Sequence, residues 1–458
     1  MIPLVNVALM RQCDATAVAH RGVEALIHDA GAAVATEARA LLGTLYGRRI
    51  AVLAGPGLNG ADGRVAAGIL TSRGCKVDVI SVFSQPQELR GYDLVIDAAF
   101  GLGCSRPYVA PRVAGGTRVL AVDLVSGVNA DTGEVLGHPL AADVTLALGA
   151  LKPAHLDGPA ARLAGELRFA SLGIDVPQGS GLVDDQDLAH YVRRGVDDHK
   201  WTHALTILAG SPSMPGAAAL ACRGALSAGA SMIHLVSRGK VARVLHLPDE
   251  VVRVRGRAID PRSASVAAGP GLGTTSTSWL LERLSGVTVP VVLDADALTL
   301  EVVGLKSSVP RILTPHAKEF ARLAGAVPGD QRFDAVRRLA AQTGCVVLLK
   351  GPVTVIASPS GELRAVNAGT SALATAGSGD VLSGMIAAAI ARGHEPFHAA
   401  SLSAHLHGRA GALLPPFGSA GDLPDAVTRA LAGLRGRDPS DEATTSRHRL
   451  NRAGRSRT

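Results

Sequence analysis

Aromatic residues make up only 3 % of this 458-residue chain, with two Trp, four Tyr and seven Phe. That scarcity argues against a surface that stacks nucleic-acid bases and suits close-packed α/β layers better than a β-sandwich. Cysteine is equally sparse: Cys13, Cys75, Cys104, Cys222 and Cys345 are scattered, odd in number and form no C-x-x-C pair. Neither a disulfide framework nor a zinc site is indicated, and a reducing cytoplasm is the expected compartment. No stretch reaches the ~18 uninterrupted apolar residues of a membrane span, and the N-terminus carries no basic segment ahead of an apolar block, so no membrane partner is expected. A G-x-x-x-x-G-K-[ST] phosphate loop is absent. The second apolar run ends in Ser81-Val82-Phe83-Ser84, without the acid that would hold a dinucleotide ribose, which argues against hydride transfer.

Glycine, by contrast, is abundant at 53 residues, beside Ala-rich stretches and a hydrophobic fraction of 47 %. The net charge of +7 would point to a polyanion were it spread over the chain. Instead, Arg447, Arg449, Arg452, Arg455 and Arg457 follow Glu442 with no acid among them, leaving a nearly neutral body. Residues 436–458 read as a basic, disordered, solvated tail, and nucleic acid is not an expected partner.

Apolar runs at Arg49–Ala54, Val77–Phe83, Asp93–Asp97, Arg118–Asp123 and Val144–Leu148 alternate with helical stretches, the pattern of a parallel sheet buried on both faces. A helical region over roughly 9–43 precedes them, and a less regular stretch follows from about 150. A second series, Thr206–Ala209, Met232–Val236, Ser265–Ala268, Val291–Asp294, Arg311–Thr314, Val346–Lys350 and Thr354–Ala357, ends in long Ala-rich helices. The expected fold class is α/β in two domains: a Rossmann-like three-layer parallel sheet over 1–195 and a larger three-layer α/β/α domain over 196–435.

The first run leads into Gly55-Pro56-Gly57-Leu58-Asn59-Gly60-Ala61-Asp62-Gly63 and a helix, which turns backbone N–H groups toward a phosphate. Asp97 opens Asp97-Ala98-Ala99-Phe100-Gly101-Leu102-Gly103, and the fourth run ends in Asp123-Leu124-Val125-Ser126-Gly127-Val128. Carboxyl ends of parallel strands share one edge, so Asn59, Asp97 and Ser126 can converge there. One carboxylate with neutral oxygens suits K⁺ better than Mg²⁺. The same residues admit a plainer role, with Asn59 and Ser126 capping turns and Asp62 capping the helix.

Those three segments resemble the YjeF N-terminal family, which epimerises the hydrated nicotinamide of NAD(P)HX, over roughly residues 1 to 195. The resemblance implies K⁺ on Asn59, Asp97 and Ser126. It implies substrate contacts from Leu58, Asn59, Gly60, Ala61 and Asp62, from Gly101, Leu102, Gly103, Cys104, Ser105, Arg106 and Pro107, and from Asp123, the expected acid/base. Leu58 and Ala61 stand where the family has Asn and Gly, and Val125 where it has Pro. These departures bear on the epimerase rate rather than on the fold or the ion site, and they leave open a degenerate binding or oligomerisation module.

The second half carries Ala376-Gly377-Ser378-Gly379-Asp380-Val381-Leu382-Ser383-Gly384, where small residues and one carboxylate sit as a loop becomes a helix over roughly 380–392. Such a turn brings an anion against open N–H groups with Asp380 as a base beside it. Ser211–Ala218, Gly269-Pro270-Gly271-Leu272-Gly273, Asp294–Leu298, Thr314–Glu319 and Lys350-Gly351-Pro352-Val353-Thr354 end other runs and can face the same cleft. Asp294 and Asp296 are expected to cap the helix that follows them, and His316 reads either as a ligand or as a turn histidine.

The order of these motifs resembles the ADP/ATP-dependent NAD(P)HX dehydratases, whose domain is ribokinase-like, over roughly 196 to 435. The resemblance implies that Asp380 takes a hydroxyl proton during phosphorylation by ADP or ATP with Mg²⁺. It places the adenine nucleotide on Lys350, Gly351, Pro352, Val353, Thr354, Gly377, Ser378 and Gly379, and the hydrated cofactor on Ala217, Gly273, His316 and Asp380. Trp201 after His199-Lys200, and Lys318 before Glu319, replace the family's glycines and are expected to reshape the substrate rim. The expected protein is a bifunctional, cytoplasmic, homo-oligomeric repair enzyme acting on NADHX and NADPHX; the alternative is a ribokinase-like small-alcohol kinase with a degenerate first domain.

Overall fold

The computed structural model describes residues 1–191, 198–239, 247–254 and 259–435. They form two compact units, 2–182 and 183–435. The boundary expected near 195 and the tail 436–458 lie outside the described residues.

In the first unit the expected helical region is two helices, α1 (Val7–Arg21) and α2 (Val23–Leu42), because Gly22 at φ 82° cannot continue either one. Asn6 caps α1 by accepting the Leu9 N–H. The strands are β1 (Arg49–Ala54), β2 (Lys76–Ser81), β3 (Leu94–Ala98), β4 (Arg118–Val122), β5 (Val144–Leu148) and β6 (Glu166–Ala170), with α3 (Leu58–Ser72) between β1 and β2. All pair in parallel in the order β6-β5-β4-β3-β1-β2. Strand β6 falls in the stretch read as irregular. Its Glu166 and Arg168 break the apolar pattern, and only pairing with β5 from Val144↔Glu166 to Leu148↔Ala170 makes it a strand.

The second unit holds β7 (Ala204–Leu208), α4 (Pro215–Ser227), β8 (Met232–Val236), β9 (Val251–Arg253), β10 (Val266–Ala268), α5 (Thr277–Leu284), β11 (Val291–Leu293), β12 (Arg311–Leu313), α6 (Ala317–Ala324), α7 (Arg332–Thr343), β13 (Val346–Leu349), β14 (Thr354–Ala357), β15 (Leu363–Val366), α8 (Ser378–Ala391), α9 (Pro396–Gly411) and α10 (Leu423–Arg435). Sheet order is β15-β14-β13-β12-β11-β10-β7-β8-β9, parallel except for the β13-β14-β15 meander. Strands β9 and β15 add to the seven expected. Trp201, just ahead of β7, stacks on His234 at 5.7 Å with the Arg262 guanidinium 3.5 Å from its ring centroid. It therefore sits at the amino ends of the strands, and the expectation that it shapes the substrate rim is corrected. Lys318 is exposed in the first turn of α6.

Helix α8 is buried along its length from Val381 to Ala391. It crosses α4 at backbone contact: a Cβ on Gly384 would lie 2.0 Å from the Ala221 carbonyl oxygen, and one on Gly224 would lie 2.3 Å from that of Val381. The crossing sets where the first turn of α8 points. Gly384→Ala and Gly224→Ala each force two backbones apart and are expected to cost about 1–3 kcal/mol despite better helix propensity, measured by denaturant unfolding.

Candidate functional site

In the second unit Gly377 adopts a left-handed φ of 93° at the head of α8, and no side chain caps that helix. The first-turn N–H groups are thus left for an anion. Ser378 turns its hydroxyl away, donating to the Leu373 carbonyl at 2.8 Å. Asp380, half-buried in the same turn, is pushed up to about 7, first by burial and then by Asp294, with Lys350 opposing.

Asp294 does not cap the turn after it, contrary to expectation, and is the buried hub of this site. Its Oδ1 receives Lys350 Nζ at 2.8 Å and Thr314 Oγ1 at 2.7 Å, and its Oδ2 receives Ser383 Oγ at 2.5 Å. Burial opposes its charge, but these donors hold its carboxyl below the usual range. Burial likewise opposes the Lys350 charge, and Asp294 with Glu319 outweighs it. Lys350 Nζ lies 3.2 Å from where a Gly379 Cβ would stand, so that glycine admits the lysine to the head of α8. Asp296 also departs from the capping role: it accepts the Gly273 N–H at 2.8 Å and fixes the loop after β10. A Cβ on Gly271 would meet Ala217 at 2.7 Å, so the loops carrying Ala217 and Gly273 touch.

His316 caps α6, its Nδ1 accepting the Lys318 and Glu319 N–H groups while Glu319 accepts the His316 N–H. Its Nε2 lies 3.5 Å from Glu319 Oε1, which leaves the exposed ring face for a ligand. Gly351, Pro352 and Val353 make the turn between β13 and β14, with Val353 buried and Thr354 opening β14. Ala217, Gly273, His316, Lys350, Gly377, Ser378, Gly379 and Asp380 thus share the carboxyl edge of the sheet.

In the first unit Asp97 ends β3 almost wholly buried, at 1 % exposure. It accepts Ser126 Oγ–H at 2.6 Å and the Ser126 N–H at 3.0 Å. No cation pairs with it among the described residues, and burial pushes its carboxyl up. Asn59, in the first turn of α3, carries a buried amide nitrogen without a partner, and its carboxamide lies 3.4 Å from a Cβ placed on Gly101. Asn59 therefore caps nothing, whereas Ser126 does support a turn by accepting the Phe100 N–H at 2.8 Å. The oxygens of Asp97, Ser126 and Asn59 suit one monovalent cation, which would supply the missing counter-charge.

Asp123, just past β4, holds a left-handed φ of 61°, a strained conformation for a residue with a Cβ. Its Oδ1 receives Lys152 Nζ at 2.5 Å and the Leu148 N–H at 3.1 Å. His155 Nδ1 accepts the Lys152 N–H at 2.9 Å, so its Nε2–H donates to the Asp123 carbonyl at 2.6 Å. Burial, and Lys152 after it, lowers this imidazole to about 4 and keeps it neutral. Sequence reasoning missed Lys152 and His155. The signal was a lysine directly after an apolar strand, at the edge where Asp123 ends its own. Asp14 on α1, also missed, has no sequence signal beyond a charge on a helix face otherwise buried at Cys13 and Ala17.

Leu58, Asn59, Gly60, Ala61 and Asp62 all lie in the first turns of α3. Gly60 is required there, since a Cβ would stand 2.0 Å from the Gly55 carbonyl oxygen, whereas Leu58 is 60 % exposed. Asp62 does not cap the helix: it lies past the first turn and is 8 % exposed. Loop 101–107 turns on the Cys104 N–H, which donates to the Gly101 carbonyl at 3.0 Å. Leu102 packs toward the core and Cys104 is half-buried.

Residues 205–432 match the NAD(P)H-hydrate dehydratase family, and residues 23–91 and 81–154 match the YjeF-related protein N-terminus. The chain is 37 % identical to the bifunctional NAD(P)H-hydrate repair enzyme of Mycobacterium leprae, over 86 % of this chain and 89 % of that protein. It is 31 % identical to the Escherichia coli protein of the same name, over 81 % and 82 %. In fold, it is similar to a ribokinase-like superfamily protein of Enterococcus faecalis, with TM-score 0.51 and 22 % identity over 57 % of this chain and 98 % of the other.

The raised Asp380 carboxyl has a cost. The folded chain keeps that proton up to about pH 7 but the unfolded chain only to about 3.8, so folding stability falls as pH rises through that window. Asp380→Asn removes the loss. It is expected to be more stable than the wild type at pH 8 by roughly 1–4 kcal/mol and equal to it below pH ~4, read from denaturant midpoints at the two pH values.

Proposed function

Because the chain belongs to the family of bifunctional NAD(P)H-hydrate repair enzymes, we propose that its first unit interconverts the epimers of hydrated NADH and NADPH and its second dehydrates the S form using ADP or ATP. The observation that carries the second activity is Asp380: a half-buried carboxyl near neutrality, beside a partly buried lysine, at the uncapped head of a helix.

Hydroxide leaves carbon poorly, so the hydroxyl is first made a phosphate ester. Asp380 takes the hydroxyl proton as that oxygen bonds to the terminal phosphorus of the nucleotide and the bond to the leaving phosphate oxygen breaks. The open N–H groups at Gly377–Gly379 and the Lys350 ammonium face the charge that grows on the phosphoryl oxygens. Phosphate then departs with the carbon–oxygen bonding pair, assisted by the ring nitrogen. Loss of a proton from the neighbouring carbon restores the dihydropyridine. From ADP the products are NAD(P)H, AMP and phosphate.

Lys350, Gly351, Pro352, Val353 and Thr354, with Gly377, Ser378 and Gly379, hold the adenine nucleotide; Ala217, Gly273, His316 and Asp380 hold the hydrated cofactor. Asp294 is engaged by Lys350, Thr314 and Ser383, and among the described residues no cluster of three metal-binding side chains occurs. Mg²⁺ carried with the nucleotide would supply positive charge to the phosphoryl group beside Lys350.

In the first unit Asn59, Asp97 and Ser126 hold K⁺. The loops 58–62 and 101–107 hold the substrate, with Asp123 in acid/base contact with the hydrated carbon. The enzyme works in the cytoplasm, as a homo-oligomer.

The second activity is tested by following NADH absorbance on S-NADHX with ADP or ATP. Asp380→Asn is expected to lower kcat by about 10²–10⁴-fold. In the wild type kcat/KM should fall as pH drops below about 7, where the base is protonated; a stable phosphorylated product instead of NADH would mark a small-alcohol kinase. For the ion site, KCl in place of choline chloride is expected to raise the unfolding temperature and speed R-to-S epimerisation, with both effects lost in Asp97→Asn.

A further inference from the structure

Inversion at the hydrated carbon needs a proton delivered to the oxygen that departs from one face and a proton taken from the water that enters on the other. One carboxyl can serve in turn as acid and base, but only on the face it lies against. The first unit holds two buried carboxyls at its substrate loops, and their surroundings differ sharply. Asp123 is anchored through Oδ1 by Lys152 Nζ and the Leu148 N–H, while its Oδ2 accepts nothing among the described residues. Asp62 is buried to 8 % exposure and, among the described residues, its carboxyl joins no ion pair and accepts no hydrogen bond. Burial without a donor favours the protonated form of a carboxyl.

We propose that Asp62 is the catalytic acid of the epimerisation and that Asp123, held in place by Lys152 through Oδ1, is its base through Oδ2. This rests on the epimerase reading of the first unit. Asp62 delivers its proton to the substrate hydroxyl; the carbon–oxygen bond breaks, water leaves, and the ring nitrogen lone pair forms a double bond to the carbon. Water then adds to the opposite face and gives a proton to Asp123, while the electron pair returns to nitrogen. One proton passes from Asp123 back to Asp62 through solvent before the next turnover. Nothing is oxidised or reduced.

The charges around Asp62 agree. Burial raises its carboxyl to about 8, with Asp123 beyond β4 and Asp14 on α1 adding to the effect. Lys152, beyond β5, counters Asp14 more directly, and burial raises that carboxyl too. Helix α2 meets this turn with Gly31, which sits against Val65 and the Asp62 carbonyl, and Arg64 on α3 itself points to the Gly55 carbonyl. No cation on these elements binds Asp62.

The test uses the full chain with R-NADHX, K⁺ and no nucleotide, so that only epimerisation is read, by chromatography of the two epimers from pH 6 to 10. Asp62→Asn is expected to lower the rate at pH 7 by about 10²–10³-fold and to erase the fall that the wild type shows above pH ~8. Asp62→Glu should recover part of both. Nucleotide-dependent dehydration of S-NADHX by Asp62→Asn should match the wild type, and a thermal melt with both transitions present establishes that the first unit is folded. A folded Asp62→Asn that keeps more than half the rate, or an alkaline fall that persists in it, overturns the assignment. A wild-type chain no faster than the spontaneous reaction overturns the epimerase reading itself, before any variant is compared.

Discussion

A lysine tied to a buried aspartate at the carboxyl edge of a parallel sheet underlies both halves of this protein. Lys350 binds Asp294 in the second unit and Lys152 binds Asp123 in the first. Two charges removed from water are tolerable only when each satisfies the other and neighbouring donors fill the remaining lone pairs. Thr314 and Ser383 do this for Asp294, whereas at Asp123 the Leu148 N–H joins Lys152 on Oδ1 and leaves Oδ2 open. Each pair leaves one further carboxyl in the same depression without a matching cation, Asp380 in one unit and Asp62 in the other. Burial drives those two toward neutrality, to about 7 and about 8. In the first unit the paired and unpaired carboxyls divide base from acid; in the second the unpaired one is the base and the paired one positions the lysine.

The backbone serves these pairs by coming very close. Where α8 crosses α4, and where Gly60 lies against Gly55, no side chain fits between the chains. The glycine and alanine that dominate the composition let the two helices cross at backbone contact and leave the head of α8 with open N–H groups. In the first unit the same economy of side chains leaves Asp97 enclosed with Ser126 and Asn59, short of one positive charge. The two activities also fit one chain chemically, since spontaneous damage gives both epimers and the dehydration consumes one.

Much of the fold was legible because parallel strands buried on both faces read as unbroken apolar runs, each with its functional residue at the carboxyl end. Asp97 and Asp123 stood out for that reason, and Asp380 because it is the one carboxylate among small residues where a loop becomes a helix. What was not legible depended on partners distant in sequence. Strand β6 looks irregular until β5 lies beside it. Asp294 and Asp296 look like helix caps until Lys350, Ser383 and Gly273 approach from a turn, a helix and a loop distant in sequence, and Trp201 looks like a rim residue until its stack on His234 puts it at the opposite edge.

The amino-acid sequence by itself determined the α/β class, the order of the strands along the chain, the glycine-lined turns and the family, because each rests on local periodicity and on motifs within a few residues. Only the tertiary structure decided which carboxyl keeps its proton. That depends on burial and on whether Lys152 or Lys350 lies within reach, and such Coulomb and desolvation terms are set by spatial neighbours that no local pattern records.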